Sequence, residues 1–154
     1  MSESESMGRT LRMEIQSDPA ELKSVRAEVE AFVQALGMSE KCVCKVVLAM
    51  DEALTNIIRH AYQGANDRPI EIDLAVRDAR LCVTLRDYGK YVPRETIRSR
   101  DLADVRPGGL GVHIMHECMD SVEYQPAPGG GTKLTMIKCL RDMENERTNG
   151  PSHD

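Results

Sequence analysis

In the stretch MDEALTNIIRHAY, residues 50 to 62, Glu52 and Asn56 stand four positions apart. On a helix that spacing puts a carboxylate and an amide on one face, one turn apart. Such a pair fits either a solvated helix surface or a surface that meets a ligand, and spacing alone leaves both open. Asp87 ends a run in which Leu81, Val83 and Leu85 alternate with other residues. It shares their parity and so points toward the side they bury. A carboxylate taken out of water costs several kcal/mol unless donors meet it, so an inward Asp87 needs an N–H group from the protein or from a ligand. The alternative is a strand-end Asp drawn into a turn by Tyr88 and Gly89. GGLG, residues 108 to 111, opens a helical pattern. Glycines let backbone approach an anion closely, and the free N–H groups at a helix start attract phosphate. The stretch is neither GxGxxG nor a Walker loop, and a flexible turn before a helix has the same composition. Gly131 and Thr132 open the last strand, where a hydroxyl can reach a ligand or a neighbouring backbone group.

These groups need elements to hold them. Leu11, Met13 and Ile15 alternate with polar residues and read as a first strand. Ser17 or Asp18 then caps a helix, Pro19 suits its first turn, and Leu22, Val25, Val29, Phe32 and Leu36 form its apolar stripe up to Gly37. Ser39 caps a second helix that runs to about Tyr62. Its stripe of Val43, Val46, Val47, Met50, Leu54, Ile57, Ile58 and Ala61 falls within about 120° at 100° per residue. Glu52 and Asn56 project about 200° and 240° from Met50, outside that stripe, toward solvent or a ligand. Ile70, Ile72, Leu74 and Val76, then Leu81, Val83 and Leu85, alternate around the turn-tolerant Asp78 and predict a β-hairpin. After a polar loop come GGLG and a short helix with Val112, Met115 and Met119 on one side. Two strands follow near 121–125 and 132–140, joined by PAPGGG. This order predicts an α+β fold, a two-layer sandwich of a mixed, mostly antiparallel sheet with helices on one face. One domain is expected over residues 10–141, between polar tails at 1–9 and 142–154 that should stay mobile.

The 154-residue chain carries a formal charge of −5, one Phe, four Tyr and no Trp. That balance argues against an electrostatic grip on nucleic acid and against base-stacking platforms. No charge-free apolar run reaches the length of a membrane span, and MSESESMGRT is acidic where a signal peptide is basic and then apolar. A soluble cytoplasmic protein, with neither nucleic acid nor membrane as partner, is expected. The five cysteines are odd in number and sit in periodic segments, where a free thiol behaves as a small apolar group, and no disulfide is expected. His113 and His116 have the i, i+3 spacing of a helical ligand pair, but Cys118 does not extend it, so a transition-metal site is not expected.

Taken in order, the groups carry a resemblance that none carries alone. Over about residues 10 to 140 the chain resembles a GHKL-type (HATPase_c) ATP-binding domain, and within that group the RsbW and SpoIIAB type of anti-sigma factor serine kinases. DEALTNIIRHAY is similar to the family's N-box, LRDYGKYVP to its first glycine box, GGLGVHIM to its second and GGTKLTM to its final Gly-Thr motif. The resemblance implies a Bergerat-type fold that binds ATP with Mg²⁺. It makes Glu52 the general base toward a substrate serine and Asn56 a Mg²⁺ ligand. It places Asp87 at the adenine amino group, Gly89, Gly109, Leu110 and Gly111 at the nucleotide, and Thr132 near the adenine end. His60 matches a family histidine to which no chemistry is assigned. The implied activity is that of a protein serine kinase and anti-sigma factor. Such a protein phosphorylates a STAS-type anti-anti-sigma partner, sequesters a sigma factor and regulates transcription by partner switching, commonly as a homodimer.

Two departures stand out. Tyr91 replaces the second glycine of the first box, and the segment from 94 to 107 is short for a lid, with Arg106 and Pro107 out of line with the basic residue that often precedes the second box. Two other classes compete with the kinase reading: a nucleotide-gated binding module that transfers no phosphate, and a plain α+β interaction domain whose glycines are structural. A histidine kinase is disfavoured, because no separate helical phosphoacceptor domain fits in 154 residues.

Overall fold

The computed structural model describes residues 9–89 and 107–140, with backbone alone at 107–112. The expectations for the tails at 1–8 and 142–154, for Tyr91 and for the lid-like loop up to residue 106 lie outside the described residues. The chain runs β1 (Thr10–Gln16), a 3₁₀ turn (Pro19–Glu21), α1 (Leu22–Ala35), α2 (Glu40–Asn56) and a π turn (Ile57–Ala61). It continues through β2 (Pro69–Arg77), β3 (Arg80–Asp87), α3 (Pro107–Cys118), β4 (Ser121–Pro126) and β5 (Thr132–Cys139).

Alternation makes the sheet. Ile70, Ile72, Leu74 and Val76 of β2, Leu81, Val83 and Leu85 of β3, and Leu134 and Met136 of β5 are buried on one face. Their neighbours in sequence, such as Asp73, Thr84 and Lys133, form the other, more open face. The strand order is β1-β2-β3-β5-β4, and all four pairings are antiparallel, the limiting case of the mostly antiparallel sheet expected. The β2–β3 hairpin turns through Asp78 and Ala79 at φ 52° and 60°, a pair of left-handed residues whose twist matches that of the flanking strands. On the open face Arg12 Nε donates to Asp73 Oδ1 at 2.7 Å. Arg12 is 82% exposed there, so water screens the pair and it adds little stability.

The helices cover the apolar face, with Val25, Val29 and Val33 from α1 and Val43, Val46, Met50 and Leu54 from α2 in one core with Met115 of α3. Gly37, at φ 85°, ends α1 in the left-handed region. Ser39 Oγ accepts from Cys42 N at 3.1 Å and caps α2. Of the two candidate caps before α1, Asp18 caps the 3₁₀ turn that leads into it, accepting from Ala20 N at 3.0 Å. Ser17 is buried instead, donating to the Ala65 carbonyl and accepting from Arg68 N at 3.1 Å, which ties the end of β1 to the segment before β2. Among the described residues no helix is long and apolar enough to cross a membrane.

Of the two directions open to Asn56, solvent or a ligand, its burial removes the first. Asn56, placed outside the apolar stripe by its angle, is only 5% exposed. The reason is that α2 shares its core with the sheet and is also flanked by α1 and by α3, which packs along it. Ala49, Ala53 and Asn56 form a second buried row of i, i+4, i+7 spacing.

Candidate functional site

The site begins where α2 changes its winding. Tyr62 N donates to the Ile57 carbonyl at 3.0 Å, an i→i+5 bond that adds one residue to the last turn. This π turn carries His60 to the wall of a cavity that it shares with Ala53 and Asn56 of α2, Asp87 of β3, Tyr124 of β4, and Thr132 and Leu134 of β5. Asn56, Asp87 and Thr132, singled out from the sequence, therefore meet at one place. The cavity is a narrow cleft, with about 30 Å³ of room for a water-sized sphere among the described residues.

Asp87 is 2% exposed. It pairs with Ile70 on one side and Thr132 on the other, which places its carboxylate on the helix-covered face. Its Oδ1 accepts from Gly89 N at 3.0 Å. Burial pushes its carboxyl upward from the ordinary aspartate range, and hydrogen bonds from the Gly89 and Thr132 backbones, with the Arg86 charge, partly offset that. The two readings of its sequence merge: Asp87 points inward and also closes a short turn. An ionised carboxylate has about four acceptor positions, so two backbone donors leave it able to accept from a group in the cavity.

Asn56 supplies the complementary vacancy in hydrogen bonding, because among the described residues its Nδ2 is buried without a partner. An unpaired buried polar group costs roughly 1–3 kcal/mol, and such a cost persists at sites that meet a ligand. Glu52, one turn earlier, is half-buried and does not line the cavity. Burial raises its pKa, the neighbouring Asp51 charge raises it further, and Arg59 lowers it.

Two glycines have steric reasons to be glycine. A Cβ on Gly89 would overlap the Ala61 carbonyl, so the close approach made here is to the end of the π turn. A Cβ on Gly131, which sits at φ 86°, would overlap the Asp87 carbonyl. Gly109, Leu110 and Gly111 fall in the opening turns of α3, which begins one residue before the GGLG stretch, at Pro107.

Tyr62 and Arg86 were not singled out from the sequence, and both brace Asp87. The Tyr62 hydroxyl accepts from Tyr88 N at 2.7 Å and donates to the Pro69 carbonyl. Arg86 Nε donates to the Asp87 carbonyl at 3.3 Å, its Nη2 donates to the carbonyls of Pro128 and Gly130, each at 3.0 Å, and its guanidinium lies 4.3 Å from the centre of the Tyr88 ring. Tyr62 did close the opening stretch, but its partners lie in other elements and leave no mark on local periodicity. Among the described residues no cluster of three or more His, Cys, Asp or Glu side chains could hold a metal ion. The five cysteines are free thiols. A cation held at Asn56 would thus take most of its ligands from elsewhere, as Mg²⁺ does when it rides on phosphates.

A profile of the histidine kinase-like ATPase domain matches residues 15–138. The anti-sigma F factor of Pasteuria penetrans is 28% identical over 140 residues, 88% of this chain and 93% of that protein. The serine-protein kinase RsbW of Bacillus velezensis is 26% identical over 143 residues, 84% of this chain and 85% of that protein. Among solved structures, the RsbU and RsbW domains of a Mycobacterium tuberculosis protein match with a TM-score of 0.61 at 15% identity, covering 84% of this chain and 31% of that one. The histidine kinase domain of the blue-light activated histidine kinase of Erythrobacter litoralis matches with a TM-score of 0.52 at 21% identity, covering 70% of this chain and 49% of that one. At these identities the two structures bear on the fold alone.

Proposed function

Because the chain belongs to the histidine kinase-like ATPase domain family, we propose that it is an ATP-dependent protein serine kinase and anti-sigma factor, with residues 10–141 as its catalytic domain. The observation that carries the proposal is the meeting of Asn56, Asp87 and Thr132, from α2, β3 and β5, on one cavity wall, with Glu52 one helical turn farther out. The residues fit Mg-ATP: a buried carboxylate with acceptor capacity to spare suits the adenine amino group, and the Asn56 side-chain oxygen is the atom that would meet the cation, its unpaired Nδ2 being a donor that would not. ATP, when bound with Mg²⁺, supplies the γ-phosphoryl group.

The chain's own residues then position and neutralise, which is most of what phosphoryl transfer asks of a protein. Asp87 accepts from the adenine amino group while Gly89 N and Thr132 N hold its carboxylate in place. At the N-terminal end of α3 the N–H groups of Gly108 and Gly109 have no partner within the helix and are the ones to meet phosphate, with Leu110 and Gly111 in the turn behind them. Glu52 takes the proton from the serine hydroxyl of the protein substrate as that oxygen forms its bond to phosphorus; ADP leaves, and phosphoserine remains. Burial first, then the Asp51 charge, raises the Glu52 pKa, which makes it a stronger base than a fully exposed Glu. The names of the relatives, an anti-sigma F factor and a serine-protein kinase, support a sigma factor as the sequestered partner and a protein serine as phosphoacceptor; a STAS-type anti-anti-sigma substrate, a homodimer and a cytoplasmic location complete the proposal.

Transfer of radiolabelled γ-phosphate to a STAS-type protein tests the reading. Wild type should label it, and Glu52→Gln should be slower by roughly 10²–10⁴-fold with nucleotide affinity nearly unchanged. Equal labelling by both would remove Glu52 from the mechanism. Nucleotide binding with no labelling by wild type would instead identify a nucleotide-gated binding module.

A further inference from the structure

Tyr62 does not line the cavity, yet it joins the three segments that meet behind it. Its side chain is 5% exposed. Its hydroxyl gives its one proton to the Pro69 carbonyl at the start of β2 and accepts the Tyr88 N–H at 2.7 Å, just past the end of β3. A phenol has one donor position, so with the proton committed to Pro69 it can serve Tyr88 only as an acceptor, and the direction of both bonds is fixed. The Arg68 guanidinium lies 4.9 Å from the ring centre. A Cβ added at Gly89 would come within 2.9 Å of Tyr62 Cδ1, so the ring also abuts the backbone it holds.

Tyr88 is the residue between Asp87 and Gly89. Fixing its N–H fixes the Asp87–Tyr88 peptide plane and limits the next one, whose N–H is the Gly89 donor to Asp87 Oδ1 at 3.0 Å. The direction in which the Asp87 carboxylate presents its remaining lone pairs therefore depends on where Tyr62 holds Tyr88. We infer that Tyr62 is a positioning residue for Asp87, so that recognition of the adenine amino group depends on a hydroxyl outside the cavity. The inference rests on the proposed assignment of Asp87 to that amino group.

Titration of the full chain with ATP and with ITP, in which an oxo group replaces the 6-amino group, tests it. Wild type should prefer ATP. Tyr62→Phe keeps the ring and removes both hydrogen bonds, and it should cut the ATP-over-ITP preference by roughly tenfold or more, with ITP affinity little changed. A Tyr62 that only stabilises the fold would lower the Tm and weaken both nucleotides alike, and an unchanged ratio in Tyr62→Phe would overturn the inference. Should Tyr62→Phe fail to fold, Gly89→Ala pushes the same backbone away from Ala61 and Tyr62 with the hydroxyl in place. It should erode the same ratio, and its failure to do so would likewise overturn the inference. A wild type that does not distinguish ATP from ITP removes the assignment of Asp87 itself, and the inference falls with it.

Discussion

A carboxylate as buried as Asp87 lowers the stability of the fold that contains it. Its pKa is raised in the folded chain, with burial the largest cause, so over the interval between the ordinary and the raised value the folded state holds more protons than the unfolded one. Stability therefore falls as pH rises through that interval and stays lower above it. Asp87→Asn removes the titration. Its side-chain oxygen can still accept from Gly89 N and Thr132 N, while its NH2 group would face the adenine amino group donor to donor. The variant should have a higher Tm than wild type at neutral pH and bind ATP roughly tenfold or more weakly. The Tm difference should shrink as the pH is lowered toward the ordinary aspartate range; melts across a pH series with an ATP titration check both, and a lower Tm at neutral pH would mean the backbone donors outweigh burial. The inward direction of Asp87 was legible from the parity of Leu81, Val83 and Leu85. The burial of Asn56 was not, because Ala49 and Ala53 are too small to register as an apolar stripe. Tyr62 was not either, since its partner Tyr88 lies 26 residues away.

Turns show the same division. PAPGGG reads as a turn from composition, yet composition does not say which glycine is needed. All three glycines hold a left-handed φ that strains a side chain, but a Cβ would meet nothing within 4 Å at Gly129 or Gly130, whereas at Gly131 it would also overlap the Asp87 carbonyl. Gly131→Ala should cost about 1–3 kcal/mol, from strain at a left-handed φ and displacement of the β3 end. Denaturant unfolding of the variant measures it, and a cost near zero would mean the β4–β5 turn moves freely. The helix caps at Asp18 and Ser39 and the stop at Gly37 were legible because each is a local residue-type preference. The π turn after Asn56 was not, since one extra residue in a single turn leaves the apolar pattern of Ile57, Ile58 and Ala61 intact. Ala79, at φ 60° beside the turn-tolerant Asp78, likewise carries no signal of its own.

At the scale of the molecule, the two-layer arrangement was legible because period-two strands surround helices with a single strong stripe. The sheet order was not: β5 lies between β3 and β4, a placement set by long-range pairing such as Asp87 with Thr132. That pairing is what gathers residues from separated segments at one wall. Among the described residues β1 occupies a sheet edge and is hydrogen-bonded along one side, to β2, with Thr10 opposite Ala75 and Gln16 opposite Pro69. Its inward side chains Leu11, Met13 and Ile15 are half-buried, whereas the inward Leu81, Val83 and Leu85 of β3 are fully buried. Peeling β1 away thus breaks one ladder and leaves β2, β3 and β5 joined, so it needs far less free energy than global unfolding. In deuterium exchange the β1 amides should exchange well before those of β3, and equal protection of the two would mean that the outermost strand opens only when everything does.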